Sequence, residues 1–162
     1  MFFNFASIAS AAVLAFLSLG LLPTRSLTMH APSGISKTHK VTVGAWGQLR
    51  YNPEFVHAKL ETTSSSSCKF LHPKNHTVTE SSFGKPCSAI DGGFRTGFVP
   101  VAEEDKHDLP IRKFKVTDEK PHWFYCGQIG HCPAGMVFAV NPPNEGNTFE
   151  KFQSMAKESG GK

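Results

Sequence analysis

The chain has 162 residues, with 17 Lys and Arg against 13 Asp and Glu, and a formal net charge of +4. This length predicts a single domain, and the basic residues are scattered along the chain, which argues against a nucleic-acid-binding protein. The mild positive charge favours acidic partners or cell-wall polyanions. We expect a monomer.

The N-terminal segment differs in composition from the rest. Residues 6–22 are apolar and uncharged, and Arg25 is the first basic residue. Such a stretch near Met1 is typical of a secretory signal peptide. An uncleaved membrane anchor is the alternative, for which about 17 residues is short. We predict a signal peptide over residues 1–26 without a clear cleavage site, a linker over 27–39, and a location outside the cell or at its surface.

The remaining chain predicts one domain over residues 40–157 and a disordered tail over 158–162. The tail is not hydrophobic, so we expect no GPI signal, and no other segment is predicted to cross a membrane. Alternating apolar residues and short apolar runs predict strands. They lie at residues 40–45, 55–57, 68–71, 77–80, 112–116, 123–126 and 137–140.

Two stretches between these strands predict loops. Residues 61–67 are polar and rich in Ser and Thr, and residues 84–93 have room for one helical turn at 87–90. After residue 147 the pattern changes, because Phe149, Phe152, Met155 and Ala156 recur at helical spacing behind Thr148, a suitable N-cap. The sequence therefore predicts an all-β sandwich or barrel with a short C-terminal helix.

The most informative segment joins the last two predicted strands. Four residues separate Cys126 from His131, and four separate His131 from Met136. The glycines between them allow tight turns, since glycine tolerates positive φ. Such a loop can direct a thiolate, an imidazole and a thioether at a single ion.

These ligand types indicate copper. A plane of two histidines and one cysteine with a weak axial methionine is the blue-copper arrangement, which serves both Cu(I) and Cu(II). The second imidazole is assigned to His76, at the start of a predicted strand, with His72 as its competitor. Zinc is the rival metal, but a thioether is a poor zinc ligand. His57, His107 and His122 are expected to be solvated.

At these residues the chain resembles the cupredoxins, most of all phytocyanin-type domains and the plastocyanin-like secreted proteins of fungi. The motifs are Cys-x4-His-Cys-x3-Met at residues 126–136 and Asn-His-Thr-Val at residues 75–78. The resemblance extends from Lys40 to Met155. It implies a Greek-key β-sandwich of about eight strands, and a disulfide between Cys87 and Cys132 that would pin the ligand loop.

The chain departs from this family in one place. A Gly-Asp-x-Val/Ile strand usually precedes the first histidine, but residues 61–68 read Glu-Thr-Thr-Ser-Ser-Ser-Ser-Cys. This departure puts a core strand in question and leaves Cys68 without a family partner. Asn75 also begins a glycosylation sequon, and a glycan there would crowd a copper ion bound to His76.

The predicted function is a single-copper electron carrier with an unidentified redox partner. The alternative is a copper-binding or cell-surface interaction protein that transfers no electrons. An oxidase is disfavoured, because the chain has no His-x-His motif for a further copper cluster. No recognisable nucleophile or carboxylate pair is present either, so the chain is not expected to be an enzyme.

Overall fold

The computed structural model describes residues 37–59, 65–70, 75–105 and 107–160. The predictions of a signal peptide or anchor over residues 1–26, and of His72 as a competing ligand, lie outside these residues. Within the described ranges, no helix combines the length and apolar character that crossing a bilayer requires.

Nine strands and one α-helix occupy the described part of the chain. They are β1 Thr38–Val43, β2 Tyr51–Asn52, β3 Phe55–Val56, β4 Ser65–Phe70, β5 Thr79–Ser82, β6 Lys85–Ala89, β7 Ile111–Lys115, β8 His122–Tyr125, β9 Val137–Val140 and α1 Phe149–Glu158. The prediction of an all-β fold with a short C-terminal helix is confirmed.

The strands form two mixed sheets. One sheet has the order β2-β1-β4-β7, in which β1 and β4 are parallel and the other pairs are antiparallel. The second has the order β3-β9-β8-β5-β6, in which only β3 and β9 are parallel. The predicted ligands lie beside the central strands of this sheet: His76 just before β5, Cys126 just after β8 and Met136 just before β9.

The inner faces of both sheets meet in one apolar cluster. Val41, Val43 and Phe114 come from the first sheet, and Phe124 and Phe138 come from the second. Along β1 the alternation buries Val41 and Val43 but leaves Lys40 exposed, and on β7 Phe114 alone is buried. Burial of this cluster is the main favourable contribution to folding.

The C-terminal helix covers the outside of the second sheet. Phe149, Phe152 and Ala156 are buried against Trp123 and Val137, in the helical spacing that the sequence predicts. The Lys151 backbone N–H donates a 3.4 Å hydrogen bond to the Thr148 hydroxyl, which caps the helix as expected. The helix therefore uses its apolar face to bury the outward residues of β8 and β9.

Two loop predictions are wrong. Residues 65–67 belong to strand β4, which lies between β1 and β7 and is hydrogen-bonded to both, so its partners and not its own pattern determine its conformation. Residues 85–89 form β6 instead of a loop with a helical turn. β6 is an edge strand, where a proline such as Pro86 is tolerated.

Candidate metal centre

The ligand loop begins where β8 ends and closes where β9 begins. Cys126 directly follows β8, and its backbone N–H donates a 3.1 Å hydrogen bond to the carbonyl of Met136. The Met136 N–H in turn donates to the carbonyl of His131 at 3.0 Å. These main-chain bonds hold the three predicted loop ligands close together before any side-chain contact is considered.

Turns within the loop depend on glycine. Gly130 and Gly135 have φ angles of 78° and 92°, in the left-handed region that residues with a Cβ rarely adopt. The Gly135 N–H donates to the carbonyl of Cys132 at 2.8 Å, and the Gln153 side-chain amide donates to the Gly135 carbonyl at 3.2 Å. Helix α1 therefore braces the loop that presents His131.

His76 reaches the centre from a different part of the chain. Its carbonyl accepts a 3.0 Å hydrogen bond from the Val99 N–H in an isolated antiparallel bridge. Its side chain is 1% exposed. Gly44, with a φ of 70°, lies against the ring edge, where a Cβ would come within 2.7 Å of Cδ2 and overlap Nε2. His76 is thus held between two chain segments.

The side chains of His76, Cys126 and His131 converge. The Cys126 sulfur lies 3.4 Å from Nδ1 of His131 and 3.7 Å from Nδ1 of His76. The three potential ligand atoms all lie within 4.8 Å of one another, and all three residues are buried. The rings of the two histidines are 5.0 Å apart between centroids. This arrangement is suited to holding one metal ion.

Met136 is the fourth predicted ligand. It is fully buried and belongs to the same apolar cluster as Cys126. Its main-chain bonds to Cys126 and His131 place it beside both residues. The predicted thioether ligand is therefore part of the protein interior at this end of the sandwich.

The cysteine thiol is in a low-polarity environment that resists ionisation. Burial raises the pKa of Cys126 above its ordinary value of 9.0, and hydrogen bonds from Thr77 and Gln128 oppose that rise. A buried thiolate without a nearby cation is unfavourable. A bound metal cation would supply the compensating charge, so the donor set fits a metal that prefers thiolate and imidazole.

Thr77 links the two halves of the centre. Its backbone N–H donates a 3.4 Å hydrogen bond to the Cys126 sulfur, and its hydroxyl accepts a 2.7 Å hydrogen bond from the Gly127 N–H. The buried Tyr51 hydroxyl donates to the Thr77 carbonyl at 2.6 Å. Sequence reasoning did not identify Thr77, Tyr51 or Gly44. The only local signal was that Thr77 directly follows a predicted ligand.

A disulfide joins Cys87 in β6 to Cys132, which directly follows His131. This is the pair that the family resemblance implies. It links the middle of the ligand loop to the edge strand of the second sheet, and Ser159 at the end of α1 donates a 3.0 Å hydrogen bond to the Cys87 sulfur. The side chain of Cys68 lies outside the described part of the structure.

The three histidines expected to be solvated behave differently. His57 and His107 are exposed, as expected. For His122 the prediction is wrong: it is half-buried, with Nδ1 2.9 Å from a Glu80 carboxylate oxygen and Nε2 3.1 Å from an Asp118 carboxylate oxygen. Its ring meets Phe114 edge-on and stacks on Phe124. The pairing of β8 with β5 brings Glu80 near it, and the segment before β8 supplies Asp118. None of the three joins the metal cluster.

Exposed apolar side chains flank residues that form the centre. Ile129 lies on the ligand loop and is 92% exposed. Trp46 is 81% exposed in the turn that follows Gly44, and Phe98, at 60%, precedes the bridge partner of His76. Each of these side chains therefore lies within two residues of a predicted ligand or of a residue that contacts one.

The chain matches no protein-family model. It is 30% identical over 136 residues to "Probable GPI-anchored cupredoxin-1" of Arthroderma benhamiae (strain ATCC MYA-4681 / CBS 112371), an alignment that covers 83% of this chain and 68% of that protein. This similarity spans most of both chains.

Solved structures resemble the fold. A structure of reduced rusticyanin matches with a TM-score of 0.51 and 17% sequence identity, covering 67% of this chain and 79% of that one. Rusticyanin from Thiobacillus ferrooxidans matches with a TM-score of 0.50 and 17% identity, covering 67% and 77%. At these identities the likeness concerns the fold alone.

Proposed function

This chain belongs to the cupredoxin superfamily, and on that premise we propose that it is a blue-copper protein that carries single electrons outside the cell. The observation that carries the proposal is the convergence of His76, Cys126 and His131, whose ligand atoms lie within 4.8 Å of one another in the protein interior. The fungal relative is itself named as a cupredoxin, which supports the same function here.

The four predicted ligands take different roles in this proposal. His76, Cys126 and His131 would hold the ion with two imidazoles and a thiolate, and Met136 would add a weaker thioether ligand. When bound, one copper ion would alternate between Cu(I) and Cu(II). The protein contributes ligand positions fixed by main-chain hydrogen bonds and by the disulfide at Cys132, so little rearrangement accompanies a change of charge.

The donor set favours copper over zinc. Thiolate and thioether are soft ligands that suit Cu(I), whereas a structural zinc site would have four Cys, His or carboxylate ligands. Among the described residues, the centre contains three Cys or His ligands of the type that zinc prefers, namely His76, Cys126 and His131. The buried neighbour that remains is Met136, which favours the copper assignment.

Electrons would enter and leave through the His131 side of the centre. His131 is 9% exposed, whereas His76 is 1% and Cys126 and Met136 are 0% exposed. The loop beside His131 presents Ile129 to solvent, so a partner protein could approach an apolar surface there. A short distance between the partner and the copper ion would favour rapid electron exchange. Burial of the other three ligands would keep water away from the ion.

Three observations support an extracellular location. The apolar stretch at residues 6–22 is typical of a signal peptide, and the relative is described as GPI-anchored, which is said of that protein. The disulfide between Cys87 and Cys132 is also typical of oxidising compartments. Secretion or association with the cell surface is therefore part of the proposal.

The test is to load the protein with Cu(II) and record its visible spectrum. We expect an intense thiolate-to-copper band at about 600 nm and one copper per chain by elemental analysis. Cys126→Ser should abolish the band, whereas Cys68→Ser should keep it as the matched control. A colourless protein, or a band that survives Cys126→Ser, would contradict the proposal.

Electrochemistry separates an electron carrier from a copper-binding protein that transfers no electrons. Rapid, reversible one-electron voltammetry of the blue protein is the expected result. A blue protein that exchanges electrons slowly with small soluble oxidants would support the non-redox alternative, in which the fold binds copper for cell-surface interaction.

A further inference from the structure

The outer face of the first sheet carries positive charge without any negative charge among its strand residues. Strands β1, β2, β4 and β7 contain Lys40, Lys69, Lys113 and Lys115, and none of their described residues is Asp or Glu. All four lysines are exposed. These residues are called the lysine face below.

Strand register arranges the four lysines on one surface. Lys40 pairs with Ser67, and Ser67 pairs with Lys113, so these residues form one row across three strands. Strands are spaced by about 4.8 Å, which puts Lys40 and Lys113 about 10 Å apart at the backbone. Lys115 lies two residues further along β7, about 7 Å away on the same face.

The lysine face is opposite to the core side of its sheet. Val41, Val43 and Phe114 point into the apolar cluster, and the residues that alternate with them therefore point outward. Lys69 is level with Thr42 and Ile111 in the adjacent row. The charges thus lie on the outer face of the first sheet, whereas the predicted ligands come from segments that adjoin strands of the second sheet.

Protection of the sheet edge does not explain this pattern. Lysines on edge strands prevent edge-to-edge aggregation, which would account for Lys113 and Lys115 on β7. Lys40 and Lys69, however, lie on β1 and β4, the two central strands of this sheet. Edge protection therefore does not account for the whole pattern: β2 covers β1 only at residues 42 and 43, but β4 is paired on both sides at Lys69.

We propose that the lysine face binds an anionic polysaccharide that carries carboxylate groups, such as a polyuronate. The four ammonium groups complement the carboxylates of such a chain, and the Ser67 hydroxyl lies between Lys40 and Lys113 in the same row, where it can bond a sugar hydroxyl. Binding there leaves the metal centre open, so a protein fixed to an acidic matrix still exchanges electrons with soluble partners.

Other polyanions fit the face less well. Single-stranded nucleic acid binds by stacking its bases on aromatic side chains, and none of the exposed large hydrophobic side chains that the structure describes on these strands is aromatic. Protein interfaces are anchored by aromatic and apolar side chains, and among the described side chains of these strands Ile111 is the one large hydrophobic that is exposed. Sugar carboxylates and hydroxyls match the lysine and hydroxyl groups that are present.

The test measures binding of the full-length, copper-loaded protein to polygalacturonate by fluorescence anisotropy at low and high salt. The test variant combines Lys40→Gln, Lys69→Gln, Lys113→Gln and Lys115→Gln. The control combines Lys59→Gln, Lys85→Gln, Lys120→Gln and Lys151→Gln, four exposed lysines elsewhere that change the net charge equally. We expect the affinity to fall about tenfold or more in the test variant and less than about threefold in the control.

Additional binding measurements distinguish the proposal from its alternatives. Binding should weaken with salt, and a neutral galactan should not bind. Equal loss in both variants would reduce the effect to net charge and overturn the proposal. Tighter binding of duplex DNA or polyglutamate through the same four lysines would also overturn it. If the fourfold variant fails to fold, Lys40→Gln and Lys69→Gln are tested singly, each with an expected loss of about two- to threefold.

Discussion

Gly44 lies so close to the ring of His76 that a Cβ atom at position 44 would overlap Nε2 of the imidazole. His76 faces the Cys126 sulfur with its other nitrogen, Nδ1, at 3.7 Å. The ring is therefore confined between the glycine backbone on one side and the sulfur on the other. The turn that contains Gly44 therefore limits where the His76 ring can lie relative to the Cys126 sulfur.

Gly44→Ala is expected to displace His76 from the centre. The substitution forces a Cβ against the ring and imposes a left-handed conformation on alanine, which alone costs about 1–2 kcal/mol. Copper affinity should fall and the visible band should shift or weaken, as measured by Cu(II) titration and absorption. Gly47→Ala is the matched control, because Gly47 has a similar φ of 72° but nothing within 4 Å of its Cβ position. Equal effects of both substitutions would argue against confinement of the ring.

Thr77→Val is expected to loosen the contact between the two ligand-bearing segments. The variant keeps the backbone N–H that donates to Cys126 but loses the hydroxyl that accepts from Gly127. The Gly127 N–H and the buried Thr79 hydroxyl would lose this partner, and the free energy of unfolding should fall by about 0.5–1.5 kcal/mol. Urea denaturation measures the loss. Thr77→Ser, which retains the hydroxyl, should recover most of it, and failure to recover would implicate the methyl group instead.

The double substitution Cys87→Ala and Cys132→Ala is expected to destabilise the domain. The disulfide closes a loop between residues 45 positions apart, for which chain entropy predicts a loss of about 4 kcal/mol. Because Cys132 directly follows His131, copper should also dissociate faster. Chemical denaturation and a competing chelator measure the two effects. An unchanged dissociation rate would show that the main-chain hydrogen bonds alone hold His131.

The metal-free protein is expected to lose stability as the pH rises above about 9. Burial raises the pKa of Cys126 above its ordinary value of 9.0. In the unfolded chain the thiol ionises first, so the unfolded state binds fewer protons than the folded state, and the free energy of unfolding falls with pH. The decline should begin near pH 9 and end at the folded-state pKa. Cys126→Ser should remove this part of the pH dependence, and a slope that persists would assign it to other groups.

The three ligands on the loop could be predicted because they lie close together in the sequence. Cys126, His131 and Met136 lie within eleven consecutive residues between two apolar strands, so spacing and ligand chemistry were enough to bring them together. His76 needed the additional argument that a metal requires a second imidazole. The structure places His76 beside Cys126. The assignment of all four as copper ligands stays a prediction.

The contacts that support the ligands could not be predicted, because they join distant residues. Tyr51 and Thr77 are 26 residues apart, and Gly44 and His76 are 32 apart. Neither contact produces a repeating pattern of residues from which it could be predicted. The first half of strand β4, residues 65–67, was missed for a related reason, since a run of serines has no apolar alternation and forms a strand through its neighbours β1 and β7.

His76 and Cys126 are 50 residues apart, and this separation has a consequence for biosynthesis. His76 precedes the other three predicted ligands in the chain and leaves the ribosome well before them. A nascent chain that ends before Met136 therefore lacks part of the predicted ligand set. Non-local contacts of this kind form late and slowly. Copper insertion is therefore expected only after the ligand loop has been synthesised, because a shorter nascent chain lacks Cys126, His131 and Met136.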